Sequence, residues 1–218
     1  MNARSSADGK RSWLSKTRLE AFSDGVFAIA ITLLVLDIAI RPGGSPLDEF
    51  LSAWPSYVGY VVSFLTIGVA WIGHTALTDE LDHVDPVFLR LNLLLLLVVV
   101  FLPFATTLIT DAFGDREAER VAATVYGVTM LCIRLLGIAL DRYSLGAGLY
   151  ADRDPDVELS SFRRKDLSGV VLYVLAIIIG LVLPGIAVSI YFGITLFLVI
   201  PFRELGGLMG RRAPAVRS

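Results

Sequence analysis

Residues 18–36 read RLEAFSDGVFAIAITLLVL. The stretch is apolar over about the 20 residues that a helix needs to cross a bilayer, yet its first turns carry Arg18, Glu20, Ser23 and Asp24. Ionisable groups at the entrance of a membrane helix are costly unless paired or solvated, which marks them as functional candidates. At ~100° per residue, Ile29, Thr32, Leu33 and Leu36 share a wedge roughly 100° wide, while Ser23 and Asp24 lie on about the opposite side. One face therefore presents branched aliphatics and a single hydroxyl. The other presents a carboxylate that must find partners inside protein. That division predicts a helix lining a narrow pore in front and locked to neighbouring helices behind.

The whole chain fits such a setting. It has 218 residues, 55% of them hydrophobic, with a mean hydropathy of +0.70, values typical of a polytopic membrane protein. A net charge of only -2 leaves no basic footprint for nucleic acid. The single cysteine, Cys132, lies in an apolar segment; it can form neither an internal disulfide nor a thiol pair for zinc, and reads as a small buried hydrophobe. Basic residues before the first apolar run imitate a signal peptide. The run outlasts signal length and no clean small-residue cleavage site follows, so it reads as a retained first span.

The chain divides into six predicted spans. Residues 1–16 are polar and rich in Ser, Arg and Lys, and read as a disordered cytoplasmic N-terminus. Span one covers about 17–40 and stops at Arg41-Pro42-Gly43-Gly44. Span two covers about 53–77, span three about 87–110 and span four about 118–141, with a polar stretch at 142–167 after it. The 34 residues from Gly169 to Phe202 carry no charge. As one helix they would measure about 51 Å, well beyond a hydrocarbon core of ~30 Å. Pro184-Gly185 near the middle therefore predicts two short spans joined by a tight turn. The six-helix membrane domain extends over 17–205, and 206–218 form a cytoplasmic tail.

Charge orients these spans. With both termini on one side, that side holds fifteen of the 19 Lys and Arg; the other holds Arg41, Arg116 and Arg120, and Arg134 lies within a span. The positive-inside rule then places both termini in the cytoplasm of a cell-membrane protein. The opposite side gathers Asp37, Asp48, Glu49, Asp111, Asp115, Glu117 and Glu119, which as a vestibule would concentrate cations, and as ordinary loop ends would simply be solvated.

Arg18, Phe22, Ser23 and Asp24 spell R-x-x-x-F-S-D directly before a membrane helix, and this resembles the first helix of the transmembrane protein 175 family, the lysosomal and prokaryotic potassium channels. The chain is similar to a prokaryotic member. The resemblance implies an all-α homotetramer whose first helices line a central pore, with the aliphatic residue five positions after the motif aspartate, here Ile29, forming the constriction. It further implies a selectivity role for the Thr32 hydroxyl, with Leu33 and Leu36 continuing the lining. The family's Trp-x-x-His element corresponds to Trp71 and His74 and its Asn opening the third helix to Asn92; where the family often has a second histidine, this chain has Thr75.

On the residues alone, Asp24 lies off the lining stripe, which favours a structural anchor over a proton relay or ion ligand, with Trp71, His74 and Asn92 as suitable donors on spans two and three. Arg18 shares the Ile29 face and is expected to pair with an acid or snorkel to lipid head groups. His74 and His83, with Asp79, Glu80, Asp82 and Asp85, match no metal-ligand spacing and read as a charged loop with no metal. No K⁺-filter TVGYG segment, P-loop, nucleophile elbow or HExxH occurs, so no enzyme and no cofactor are expected. The expected function is passive, modestly K⁺-selective cation permeation through a hydrophobic neck. The competing readings are a proton-coupled secondary transporter using Asp24 and His74 and a non-conducting membrane assembly.

Overall fold

The computed structural model describes residues 15–38, 45–151 and 155–199, with only the helical backbone given over 155–166. The expected terminal tails, the Arg41–Gly44 breaker and the charges of Arg153, Arg163, Arg164 and Lys165 lie outside the described residues or side chains. Seven α-helices follow in order: α1 (Lys16–Leu33), α2 (Pro46–Ser52), α3 (Trp54–Asp79), α4 (Pro86–Asp111), α5 (Arg116–Gly146), α6 (Pro155–Gly180) and α7 (Pro184–Val199).

Local chemistry sets most of the starts. Asp85 caps α4 by accepting from the Val87 and Phe88 amides, and Asp115 caps α5 by accepting from those of Glu117 and Ala118. Proline opens α2, α4, α6 and α7, where its missing N–H leaves no helical bond unmade. α1 ends in a single 3₁₀ turn, Leu34–Asp37, a common tightening of a last helical turn. Among the described residues, four segments are long and apolar enough to cross a membrane: Lys16–Leu36, Trp54–Asp79, Pro86–Asp111 and Arg116–Gly146. Leu167–Gly180 and Pro184–Phe197 are shorter apolar helices, paired across the expected Pro184 turn.

Two features differ from the sequence reading. The seven-residue α2 lies where a loop was expected, and the polar stretch 142–167 is largely helical, because α5 continues to Gly146 and α6 begins at Pro155. Gly148, with φ +66°, follows the end of α5 in the left-handed conformation that glycine adopts without strain.

α4 is the central helix. Phe88, Asn92, Leu95, Leu96, Val99, Leu102 and Ala105 form its buried side, which packs on α1, α3 and α5, while α6 and α7 cover α5 and α3. Contact is tightest where α5 meets α7: a Cβ at Gly127 would lie 2.0 Å from the Tyr191 hydroxyl and 2.7 Å from Ile177 Cγ1. No larger residue fits there without displacing two well-packed side chains.

At the end of the bundle where α1 begins, hereafter the near end, polar contacts tie four segments together. Lys16 Nζ donates to the carbonyls of Asp79 (3.0 Å) and Leu81 (2.9 Å), where the terminal carbonyls of α3 favour a cation. Leu81 bridges to Tyr150, and the Asp82 amide donates to Leu149 at 2.9 Å. The Tyr143 hydroxyl donates to Asp85 Oδ2. Partial burial works to raise the Asp85 carboxyl, but the Phe88 N–H, the Tyr143 hydroxyl, the Val87 N–H and nearby His83 together hold it below the usual carboxylate range.

A depressed carboxyl contributes stability that is present above its unfolded pKa of about 4 and is lost as pH falls through its folded value. Asp85→Asn keeps an acceptor for both capped amides and removes the charge. Wild type is expected to melt above Asp85→Asn in detergent at neutral pH, with the gap closing below about pH 4. A gap that stays constant with pH would show that the charge contributes nothing.

Candidate functional site

The buried face of α1 is Leu19, Ser23, Phe27 and Ala30, continued by Leu34 in the 3₁₀ turn. This spacing of four, four, three and four residues lays one stripe against α3 and α4. Ser23 is the one hydroxyl on it, and it is fully buried. Asn92 on α4, 1% exposed, donates from Nδ2 to Ser23 Oγ at 3.0 Å. With its nitrogen so used, its Oδ1 is the acceptor in the 2.8 Å contact with His74 Nε2. His74 therefore carries its hydrogen on Nε2 and donates it. The ring also rests against Phe27, centroids 5.5 Å apart. Its Nδ1 is buried without a hydrogen-bond partner among the described residues.

Asp24 sits one position round the helix and serves a different partner: its Oδ1 accepts from Trp71 Nε1 at 2.8 Å, on an exposed part of the subunit. Thr75 donates to the Trp71 carbonyl at 2.6 Å. The three donors offered to Asp24 by the sequence are thus divided: Trp71 goes to Asp24, Asn92 to Ser23, and His74 to Asn92. That division depends on helix rotations that spacing along one chain does not carry.

The opposite face of α1 is uncovered. Phe22 is 55% exposed, Ile29 59%, Leu33 38% and Leu36 75%, and Arg18, Gly25 and Thr32 are exposed with them. From Arg18 the stripe runs through positions 22, 25, 29, 32 and 36, alternating four and three residues, the repeat by which helices pack along a common axis. Thr32 Oγ1 donates to the Ile29 carbonyl at 2.9 Å. Its single hydrogen is used within the helix, so the oxygen is left as an acceptor.

Other candidates separate from this cluster. His83 pairs with neighbouring Asp82 at 3.3 Å, and no group of three potential metal ligands occurs among the described residues. Arg134 lines a cavity between α3 and α5 and lies close to Gly169 of α6. The sequence reading missed Lys16 as a bridging residue and a set of buried hydroxyls, Ser63, Thr66, Thr106, Tyr126 and Thr195. Only the one-turn spacing of Ser63 and Thr66 hinted at the latter.

The model of the endosomal/lysosomal potassium channel TMEM175 family matches residues 18–103. A potassium channel of Chamaesiphon minutus is 33% identical over 189 residues, covering 84% of this chain and 93% of that protein. The chain belongs to the TMEM175 family. A crystal structure of a TMEM175 homolog from Chamaesiphon minutus, described as a lysosomal potassium-selective channel homolog, superposes on this family member with a TM-score of 0.75 at 32% identity, over 84% of this chain and 95% of that one. A potassium channel of Streptomyces collinus is 46% identical over 126 residues, 56% of this chain; the match spans 61% of that relative's length. Human TMEM175, named an endosomal/lysosomal proton channel, is 36% identical over 128 residues, and the match covers 25% of its length.

Replacing Asn92 by leucine would strand both the Ser23 hydroxyl and the His74 Nε2–H in an apolar interior, each worth about 1–3 kcal/mol. The melting temperature of Asn92→Leu in detergent is expected to fall well below that of Val35→Ala, an exposed control. Equal melting of the two variants would show that the cluster does not hold the helices.

Proposed function

We propose that four copies of this chain form a potassium-permeable channel in the cell membrane, with the exposed stripe of α1 from each copy facing a central axis. One observation carries the reading: α1 holds a continuous uncovered stripe of aliphatic residues while its rear is fixed by hydrogen bonds to two other helices. An apolar stripe on a helix so held has to be covered by lipid or by copies of itself. The names of the two prokaryotic relatives favour the second arrangement and potassium as the cargo.

Closed cyclic symmetry is the usual way to surround an axis with identical helices. Four Ile29 side chains then form the constriction, and Leu33 and Leu36 extend the apolar lining. Such a neck closes by losing its water, without any moving plug. The Thr32 oxygens, their hydrogens held by the Ile29 carbonyls, offer a ring of acceptors to a cation beside the neck. A hydroxyl ring replaces only part of a hydration shell, so selectivity for K⁺ over Na⁺ is modest. Ser23, Asp24, Trp71, His74 and Asn92 set the rotation of α1 and stand behind the ion path. Arg18 and Phe22 continue the stripe toward the near end. The near end, with both termini, faces the cytoplasm after six crossings. Asp24 and His74 bond to different partners, which gives a transporter coupled through the pair no specific support.

Potassium and sodium fluxes from liposomes containing purified protein test this. Wild type is expected to pass K⁺ faster than Na⁺. Ile29→Asn, by wetting the neck, is expected to raise both fluxes and narrow their ratio. Asp24→Ala is expected to lower the yield of assembled protein more than it alters the ratio. No flux from protein shown to be tetrameric, or an Ile29→Asn variant indistinguishable from wild type, would reject the reading.

A further inference from the structure

Among the described helices, α2 (Pro46–Ser52) alone has no buried side chain. It follows α1 and precedes α3 at the far end of the bundle, opposite the near end, and it touches α3 but no other described helix. It is nevertheless a formed helix held in place. Ser45 caps it by accepting from the Asp48 amide at 3.3 Å. The Tyr57 hydroxyl of α3 donates to the Phe50 carbonyl at 3.1 Å, and the two rings lie 5.2 Å apart. At ~100° per residue, Leu47, Phe50 and Leu51 fall within a wedge of roughly 100°, while Asp48, Glu49 and Ser52 occupy about the opposite side. The three apolar residues are each more than half exposed. Three are too few to read as a helical face along the sequence; the folded helix turns them to one side.

Depth decides what covers this face. Trp54, the first residue of α3, and Phe113, two residues past the end of α4, meet edge to face at 5.1 Å, and each is more than half exposed. α3 and α4 are both long and apolar enough to cross a membrane, so their far ends lie where hydrocarbon meets headgroups. Exposed aromatic residues gather at that level, tryptophan and tyrosine above all. The Tyr57 bond to Phe50 holds α2 beside the first turn of α3, at the same depth. A helix there with one apolar and one polar side rests in the plane of the interface, its apolar side turned to the upper acyl chains. Charge selects the headgroup. α2 carries Asp48 and Glu49 and no Lys or Arg, so it repels an anionic surface and fits lipids with no net charge. The lack of contact with α1 points away from a second copy as the cover, since copies meet along α1 in the channel reading; this one point rests on that reading.

We propose that α2 is a lipid-binding helix lying in the membrane surface at the far end, with Leu47, Phe50 and Leu51 seated among zwitterionic headgroups and the tops of their acyl chains. Trp54 and Phe113 continue this contact along the ends of α3 and α4. Asp48, Glu49 and Ser52 face the water. Through the Tyr57 bond the seated helix fixes the depth at which α3 enters the bilayer.

The test places a single cysteine at Leu47, Leu51 or Ser52 in a Cys132→Ala background, labels it with a small fluorophore and reconstitutes the protein in phosphatidylcholine vesicles. Two quenchers are compared: iodide in the water on both sides, and phosphatidylcholine brominated high in the acyl chain. Labels at 47 and 51 are expected to be quenched by iodide at least about threefold less than the label at 52, and more by the brominated lipid. With half of the lipid exchanged for phosphatidylglycerol, the gap between 52 and the other two is expected to narrow; an unchanged or wider gap would overturn the headgroup assignment. Equal iodide quenching at all three positions would mean that α2 stands in water. Labels at 47 and 51 shielded from both quenchers would mean that a second copy of the chain covers them. Either result overturns the proposal. Potassium flux from the same vesicles separates this contact from the channel reading. The lipid pattern in vesicles that pass no potassium would reject the channel and leave the contact standing, and shielding from both quenchers in vesicles that pass it would do the reverse.

Discussion

A single buried amide controls the placement of the first helix. Asn92 uses its nitrogen on Ser23 of α1 and its oxygen on His74 of α3, so one side chain on α4 joins three helices. Among membrane helices an unmatched polar group has no water to turn to, which makes such contacts hard to exchange for others. The consequence is rotational. With Ser23 held toward α4, residues on the far side of α1 must face away from the subunit, and those are Ile29, Thr32, Leu33 and Leu36. A turn of α1 by even one residue would bury a different side chain against Asn92 and leave its amide unsatisfied.

The front and the rear of α1 therefore have different chemistry for one reason. The rear needs a small polar residue at the Asn92 contact and close-packing residues elsewhere, supplied by Ser23, Phe27 and Ala30. The front faces no other described part of its own subunit, so its residues are free to set the width and wetness of whatever they surround. Asp24 lies between the two, bonded to a half-exposed Trp71, and can fix the edge of the helix without entering the front stripe. Deeper in the bundle, Ser63, Thr66, Thr106 and Thr195 bind the helices to one another with neutral hydroxyls where Asn92 and His74 use an amide and an imidazole.

Much of this was legible in the sequence, and the parts that were not share a physical cause. The limits expected for spans two and three lie within two residues of α3 and α4, because an apolar run ending on Asp85 or Pro86 carries its own boundary. The exposed stripe of α1 was legible because helical periodicity is a one-dimensional signal. α2 has seven residues and no buried side chain, so no apolar pattern announced it. The first half of α6 is polar, and hydropathy alone reads it as loop. The assignment of Asn92 to Ser23 rather than Asp24, and the meeting of hydroxyls from four helices, depend on relative helix rotations that appear only when the helices are packed.

The central claim is that the stripe through Ile29 faces an ion path. Its most direct test places a cysteine at Ile29, Leu36 or Val35 in a Cys132→Ala background and measures potassium flux from liposomes before and after a small charged thiol reagent. The account predicts that the reagent blocks flux at positions 29 and 36 and leaves it intact at position 35, which is also exposed but lies about 120° round the helix. Block at position 35 with none at 29 and 36 would mean that α1 turns a different face to the ions, and the account would fail.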